Sequence, residues 1–126
     1  MSSSKAPSVV AVVEDDAPAR KALGRLLRSV GCAATTFASA ECYLSRHPDD
    51  GPDCLLLDIG LEGMSGFELR EELLRTGKCV PLVFITAQDD EATRQALLQL
   101  GSVPCLRKPF TDRNLLSAIT SVTRSA

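Results

Sequence analysis

Short apolar runs recur along this chain of 126 residues, and several of them stop at a charged residue. The run VVAVV at 9–13 stops at Glu14, and the run CLLL at 54–57 stops at Asp58. Runs of this length without polar alternation are typical of strands buried on both faces of a parallel sheet. We predict five strands, at 9–13, 32–37, 54–58, 81–86 and 103–106. Because Pro104 cannot donate a ladder hydrogen bond, the fifth strand should lie at an edge of the sheet.

Between the strands, apolar residues recur with the spacing of amphipathic helices. After the first strand, positions 0, 3, 4 and 7 of such a pattern are Leu23, Leu26, Leu27 and Val30. Gly31 follows directly, where glycine commonly ends a helix. Ser65 and Glu68 match the spacing of a capping box. We predict five helices: one ending near Gly31, one capped by Ser39 and running through Leu44, one starting at Ser65, one over about 90–100, and one containing Leu115, Leu116, Ile119 and Val122.

The regular alternation of strand and helix signals favours a doubly wound α/β fold. In such a fold, a parallel sheet carries helices on both of its faces. The length of the chain suits one domain with a proper core. We therefore predict a single domain over residues 8–126, preceded by a short flexible tail over the serine-rich residues 1–7.

Composition narrows the class of protein. Fourteen basic and sixteen acidic residues give a formal net charge of -2, which argues against direct nucleic-acid binding. No apolar run approaches the roughly 18 residues of a membrane span, and the start of the chain lacks the apolar core of a signal peptide. The five cysteines are odd in number and form no CxxC pair, which argues against a disulfide framework or a zinc site. We expect a cytoplasmic protein with reduced thiols.

The polar residues at the strand ends point to one shared site. In a parallel α/β sheet the carboxyl ends of all strands lie along one edge, and ligands bind there. The residues that the predicted strands bring to this edge are Glu14, Asp15, Asp58, Thr86 and Lys108. Crowded carboxylates raise one another's pKa unless a cation is present. A magnesium site built from carboxylates, a backbone oxygen, water and phosphate would satisfy them.

A carboxylate at such a site can also act as a nucleophile and become an aspartyl phosphate. Phosphoryl transfer needs positive charge and hydrogen-bond donors on the phosphoryl oxygens, which Lys108 and Thr86 can supply. Taken singly, each residue also has a structural explanation. Asp58 could cap a strand end, Thr86 could satisfy backbone groups, Lys108 could be a surface lysine, and the run 14–16 could be a solvated cluster in which Asp16 caps the first helix.

Four motifs together resemble the receiver domains of two-component response regulators. They are VVEDD at the end of the first strand, LLLDIGLEGMSG around the third, FITA at the fourth and LRKPF after the fifth. Each motif is weak alone, but all four stand at matching strand ends in the family's order. The resemblance implies a flavodoxin-like three-layer sandwich, with a five-stranded parallel sheet in the order 2-1-3-4-5 and five helices. The predicted domain over residues 8–126 is then a single receiver domain.

The resemblance also implies roles for the acidic residues. Asp58 matches the phosphoacceptor of the family. Glu14 and Asp15 match the acidic pair that serves Mg²⁺ (Mn²⁺ is an alternative), with Asp58 and the backbone carbonyl of Gly60 as further ligands.

For the fourth and fifth strands, the resemblance implies that the Thr86 hydroxyl moves toward the phosphoryl group. It also implies that Lys108 binds the phosphate and precedes a peptide bond to Pro109 that is usually cis.

The sequence departs from the family pattern at four positions. Glu62 replaces the usual proline after Asp58, so we expect a more mobile loop there. Ser65 stands where an aspartate is common, and Gly60 offers no side chain at a position that tunes phosphoryl lifetime. Cys105 occupies the place of an aromatic switch residue, so we expect the signal to leave the site by another route.

The implied function is a phosphorylation-dependent signalling switch. A histidine kinase or a phosphotransfer protein would phosphorylate Asp58 in a magnesium-dependent reaction. The resulting change of conformation would control an output domain or a partner, with transcriptional control as one form of output. We expect no enzymatic activity beyond the domain's own phosphorylation and dephosphorylation, no membrane association, and a homodimer through the face of helix 4, strand 5 and helix 5.

Two other functions compete with this interpretation. A hydrolytic phosphatase can also use an aspartate nucleophile, but it places a second acid two residues later, where this chain has Gly60. A nucleotide- or flavin-binding module would need a phosphate-binding glycine motif, and neither GxGxxG nor GxxxxGK occurs.

Overall fold

The structure is a computed structural model, and it describes residues 9–46, 51–87, 90–101 and 103–123. The tail predicted over residues 1–7 lies outside these ranges. In chain order, the described elements are β1 (Val9–Val13), α1 (Ala17–Ser29), β2 (Ala33–Phe37), α2 (Ala40–Ser45), β3 (Cys54–Asp58), α3 (Gly66–Arg75), β4 (Leu82–Thr86), α4 (Glu91–Gln99), β5 (Cys105–Arg107) and α5 (Asp112–Thr123). Within the described residues, no helix is both long and apolar enough to cross a bilayer.

The strands form one parallel sheet in the order β2-β1-β3-β4-β5. This confirms the predicted fold class and strand order, including the edge position of the fifth strand. The predicted bounds of that strand, 103–106, are wrong, because it begins at Cys105 and ends at Arg107. Pro104 precedes the strand and contributes only its carbonyl, which accepts the Phe84 N–H at 2.9 Å.

The three central strands are buried on both faces, which separates the core into two layers. One layer packs against α2 and α3 and includes Val13, Leu57, Tyr43, Leu69 and Phe84. The other packs against α1 and α5 and includes Val12, Leu56, Leu27, Leu115 and Ile119. Because side chains of a strand alternate between faces, consecutive apolar residues are needed to fill both layers. The apolar runs in the sequence are therefore a direct consequence of the three-layer architecture.

The helix starts follow the predicted capping residues. The Asp16 carboxylate accepts the Ala19 N–H at 3.0 Å, and Ser39 caps α2 in the same way. Ser65 and Glu68 form the complete capping box, with bonds of 3.1 and 2.9 Å. Since these caps satisfy backbone groups at helix starts, they also fix where the loops of the sheet's carboxyl edge end.

All five cysteines of the chain lie within the described residues, and none of them is bonded to another. Cys32 and Cys54 are buried in the core, whereas Cys42 and Cys79 are exposed. Burial raises the pKa of the Cys54 thiol to about 12, which keeps it protonated and unreactive at neutral pH.

Candidate functional site

Asp58 lies at the carboxyl edge of the sheet, at the point where the strand order reverses. It is the last residue of β3, which pairs with β1 on one side and β4 on the other. Val13 of β1 lies opposite Leu57, so the next residue, Glu14, emerges beside Asp58. Ligands of open α/β sheets bind in the crevice at such a reversal. The apolar strand thus anchors a carboxylate in the floor of this crevice.

The start of α3 packs directly against the backbone of Asp58. A Cβ atom on Gly66, the first residue of α3, would lie 2.5 Å from the Asp58 carbonyl oxygen. The Gly66 N–H donates to the Ile59 carbonyl at 3.2 Å, which closes the loop between β3 and α3. Glycine at this position therefore allows the close approach that fixes the phosphoacceptor position predicted from the sequence.

Three carboxylates converge at this edge. One oxygen from each of Glu14, Asp15 and Asp58 can be chosen so that all three lie within 4.8 Å of one another. Glu14 and Asp58 are only 1% and 7% exposed, whereas Asp15 is exposed to solvent. Three oxygens at this spacing, partly buried and partly open, suit a hard divalent cation that retains some of its water. The structure thus brings together all the carboxylates predicted to serve the metal.

Lys108 supplies the positive charge of the site. Its Nζ lies 2.8 Å from Glu14 Oε1 and 3.5 Å from Asp58 Oδ2. The Lys108 N–H donates to the Thr86 carbonyl at 2.8 Å, so the lysine is positioned from the end of β4. The peptide bond between Lys108 and Pro109 is cis, as the resemblance implies. This lysine bridges two strands that are distant in sequence.

The charges in the crevice shift the ionisation of their neighbours. Burial raises the pKa of the Glu14 carboxyl, and the hydrogen bond from Lys108 only partly offsets this; the nearby Asp58 raises it further. Burial by itself would lower the pKa of Lys108, but its hydrogen bond to Glu14 and the negative charges of Asp58 and Glu14 raise it above the ordinary value. The ammonium of Lys108 therefore does not fully offset the negative charge of the carboxylates at this site.

Thr86 and Gly60 complete the set of predicted positions. Thr86 ends β4 and is 3% exposed. Because Asp58 pairs with Ile85 in the sheet, Thr86 is the residue that directly follows the strand partner of Asp58. The Gly60 N–H donates to Asp58 Oδ1 at 2.9 Å, so this residue lies at the crevice as predicted.

The departures from the family pattern also take definite positions. Glu62 has a backbone N–H where proline has none, and this N–H donates to Asp15 Oδ2 at 3.2 Å. The predicted mobility of this loop stays a prediction. Cys105 is half-buried and lies opposite Phe84 in the sheet. Phe84 is fully buried and packs edge-on against Phe67, with ring centroids 5.2 Å apart.

The sequence analysis missed two residues that contact the site from other elements. Arg20 of α1 donates from Nη1 to the Glu14 carbonyl at 2.9 Å. Glu41 of α2 accepts the Met64 N–H at 3.0 Å, within the loop that follows Asp58. No local pattern distinguishes these residues from other charged residues on exposed helix faces, because their partners are set by the tertiary fold.

This domain is a doubly wound sheet that carries a carboxylate, an acidic pair and a lysine where the strand order reverses. Such an arrangement is suited to binding a metal and a phosphoryl group. A family model of the response regulator receiver domain matches residues 10–120. The chain belongs to this family, whose general function is a phosphorylation-dependent switch in two-component signalling. The resemblance recognised in the sequence is thereby confirmed.

Curated relatives agree with this assignment. Nodulation protein W of Bradyrhizobium diazoefficiens is 39% identical over 116 residues, which cover 92% of this chain and 51% of that protein. The response regulator protein TodT of Pseudomonas putida is 31% identical over 119 residues, which cover 94% and 52%. The chain thus spans about half the length of the curated relatives it matches.

Solved structures show the same fold. The response regulator StyR superimposes with a TM-score of 0.84 at 38% identity, covering 95% of this chain and 61% of that one. A response regulator receiver protein from Burkholderia phymatum superimposes with a TM-score of 0.78 at 41% identity, covering 93% and 95%.

Proposed function

We propose that this receiver domain, extending over residues 8–126, accepts a phosphoryl group on Asp58. The observation that carries the proposal is the placement of this carboxylate at the reversal point of the sheet, with two further acids and Lys108 around it. When a phosphohistidine is the donor, its phosphorus–nitrogen bond breaks as an Asp58 oxygen bonds to phosphorus, and the histidine ring leaves. The donor would be a histidine kinase or a phosphotransfer protein.

Glu14, Asp15, Asp58 and the backbone carbonyl of Gly60 would hold Mg²⁺, or Mn²⁺ in its place. The ion would offset the charge on the transferring phosphoryl oxygens. Support comes from the three carboxylates that lie within 4.8 Å of one another, because oxygen donors in such a group match the preference of these ions.

Lys108 would change partners when the phosphoryl group arrives. Without it, the ammonium is nearer to Glu14, at 2.8 Å, than to Asp58, at 3.5 Å. A phosphoryl group on Asp58 would present new oxygens to the same ammonium. The Glu14 carboxylate would then help to hold the metal in place of its contact with Lys108. The buried Thr86 would turn its hydroxyl toward the phosphoryl group and so begin the conformational change.

The activity and the output of the domain are further parts of the proposal. We propose that the domain catalyses only its own phosphorylation and dephosphorylation, since Gly60 offers no second acid for hydrolytic turnover. Among the relatives is a transcriptional regulatory protein, TdiR of Thauera aromatica. We therefore propose transcriptional control as the output. This acidic chain itself would make no direct contact with nucleic acid.

We also propose a homodimer. It would form through α4, β5 and α5, where Leu98 is 72% exposed.

Acetyl phosphate with Mg²⁺ tests the phosphoacceptor assignment. The wild-type domain should gain one hydroxylamine-labile phosphoryl group per chain, and Asp58→Asn should gain none, because an amide is not a nucleophile here. The matched control is Asp112→Asn, which alters an exposed acid in the first turn of α5 and should label like wild type. Undiminished labelling of Asp58→Asn would overturn the assignment, and multiple turnovers would favour a phosphatase.

A further inference from the structure

The loop after Asp58, residues 59–65, is held by carboxylates from four parts of the chain. Its backbone donors and their acceptors are Gly60 N–H to Asp58 Oδ1, Glu62 N–H to Asp15 Oδ2, Met64 N–H to Glu41 Oε2 and Ser65 N–H to Glu68 Oε1, at 2.9 to 3.2 Å. Asp58 and Asp15 belong to the crevice, and Glu68 belongs to the capping box of α3. Glu41 belongs to neither, so its contact calls for a separate explanation.

Glu41 reaches the loop from the first turn of α2 and bonds to it at Met64. Accepting the Met64 N–H lowers the pKa of the Glu41 carboxyl, so this acid is ionised at neutral pH. A charged acceptor forms a stronger hydrogen bond than a neutral one. The bond joins two segments 23 residues apart in sequence, and it restrains the loop at a point that the crevice residues do not reach.

The backbone next to this bond leaves room for the Glu41 carboxylate. Gly63 has a φ of +74°, a conformation that residues with a side chain rarely adopt. A Cβ atom at Gly63 would lie 2.9 Å from Glu41 Oε2, so a side chain there would displace the end of the Glu41 side chain. The turn therefore requires glycine, and the absence of a side chain leaves space for the carboxylate.

We propose that Glu41 is a positioning residue for phosphorylation. Its carboxylate holds the segment around Met64, and the loop transmits this restraint to the Gly60 carbonyl and to the Glu62 N–H that meets Asp15. The Gly66 N–H bond to the Ile59 carbonyl closes the loop, so its two ends move together. This inference rests on the proposed function, because it assigns Glu41 to the geometry of the proposed magnesium site.

Two variants of Glu41 separate the hydrogen bond from the charge. Glu41→Ala removes both, whereas Glu41→Gln removes the charge but keeps an oxygen that can accept the Met64 N–H. Glu71→Ala is the matched control, because Glu71 is an exposed acid on α3 that is not among the acceptors of the loop. Thermal unfolding of each variant shows whether the fold is intact.

The first measurement is amide hydrogen exchange at Met64 in the metal-free protein. We expect exchange about tenfold faster in Glu41→Ala than in wild type, because a bond to a charged acceptor at an exposed site is lost. Glu41→Gln should restore most of the protection, and Glu71→Ala should match wild type. The second measurement is the dissociation constant for Mg²⁺ by calorimetry, which we expect to rise about threefold in Glu41→Ala and to return toward wild type in Glu41→Gln.

Each outcome decides the proposal. Unchanged exchange at Met64 in Glu41→Ala would overturn it, and so would faster exchange with unchanged Mg²⁺ affinity, since the contact would then be structural only. A Glu41→Gln variant that behaves like Glu41→Ala would also overturn it, because an oxygen that can still accept the Met64 N–H would then give no protection, and the effect would come from the negative charge without the hydrogen bond. If the wild-type domain failed to accept a phosphoryl group on Asp58, the proposed function would fail, while exchange at Met64 would still report whether Glu41 holds the loop.

Discussion

Replacing Glu14 with glutamine should stabilise the metal-free domain. Glu14 is 1% exposed, so an isosteric substitution avoids the cavity that alanine would leave. One oxygen of each of Asp15 and Asp58 lies within 4.8 Å of a Glu14 oxygen, so at an effective dielectric of about 20 each like charge costs at least about 3.5 kcal/mol, while the attraction to Lys108 at 2.8 Å contributes about 6 kcal/mol. The two repulsions together exceed that attraction, and burial adds to the cost. Glu14 accepts one hydrogen bond from Lys108 and one from the Asp16 N–H, and glutamine can accept only one of the two, which removes part of the gain. We expect a net gain of about 1 kcal/mol.

The sign follows from the pKa of Glu14, which the fold raises above the ordinary 4.5, mainly by burial. An acid with a raised pKa contributes stability that is present below pH 4.5 and is lost as the pH rises through the folded pKa. The stability of Glu14→Gln relative to wild type should therefore increase from about pH 4.5 toward neutral pH.

Thermal unfolding in chelator, over a series of pH values, measures this difference. A gain of about 1 kcal/mol corresponds to a Tm increase of about 4 °C for a domain of this size. Magnesium should reverse the order at neutral pH: at ten times its dissociation constant it would add about 1.4 kcal/mol to wild type and less to the variant. A lower Tm for Glu14→Gln in chelator at neutral pH would refute the reasoning, and Glu71→Gln on the exposed face of α3 is the control.

Two further predictions concern the surroundings of the site. Arg20→Met should lower the free energy of unfolding by about 1 kcal/mol, because the bond to the Glu14 carbonyl is lost. The control Arg25→Met, on the exposed face of the same helix, should change the free energy of unfolding little. Equal Tm values for the two variants would contradict the role of this bond. Beryllofluoride, a phosphoryl mimic, should shift the amide resonances of α4, because Cys105 is too small to fill space vacated by Thr86 and Phe84 is locked in the core. Shifts confined to the Asp58 crevice would exclude transmission of the signal through α4.

Much of the fold was predictable because its signals are local. The apolar runs predicted β1 and β3 within their observed bounds, since strands buried on both faces need consecutive apolar residues. The caps Asp16, Ser39 and Ser65 were predictable because a capping side chain bonds a backbone N–H three residues away. The strand order, by contrast, came from the resemblance to receiver domains, because alternation alone does not specify which strands are neighbours.

The sequence by itself also predicted which residues lie together at one edge of the sheet, because parallel strands bring their carboxyl ends to that edge whatever their separation along the chain. What only the tertiary structure decided is how these residues are paired. Lys108 is closer to Glu14 than to Asp58, although 94 residues separate the lysine from Glu14. The bonds from Arg20 and to Glu41 likewise depend on how helices pack on the sheet. Local spacing determines which backbone groups a side chain can cap, but only the packed fold determines which distant charges meet.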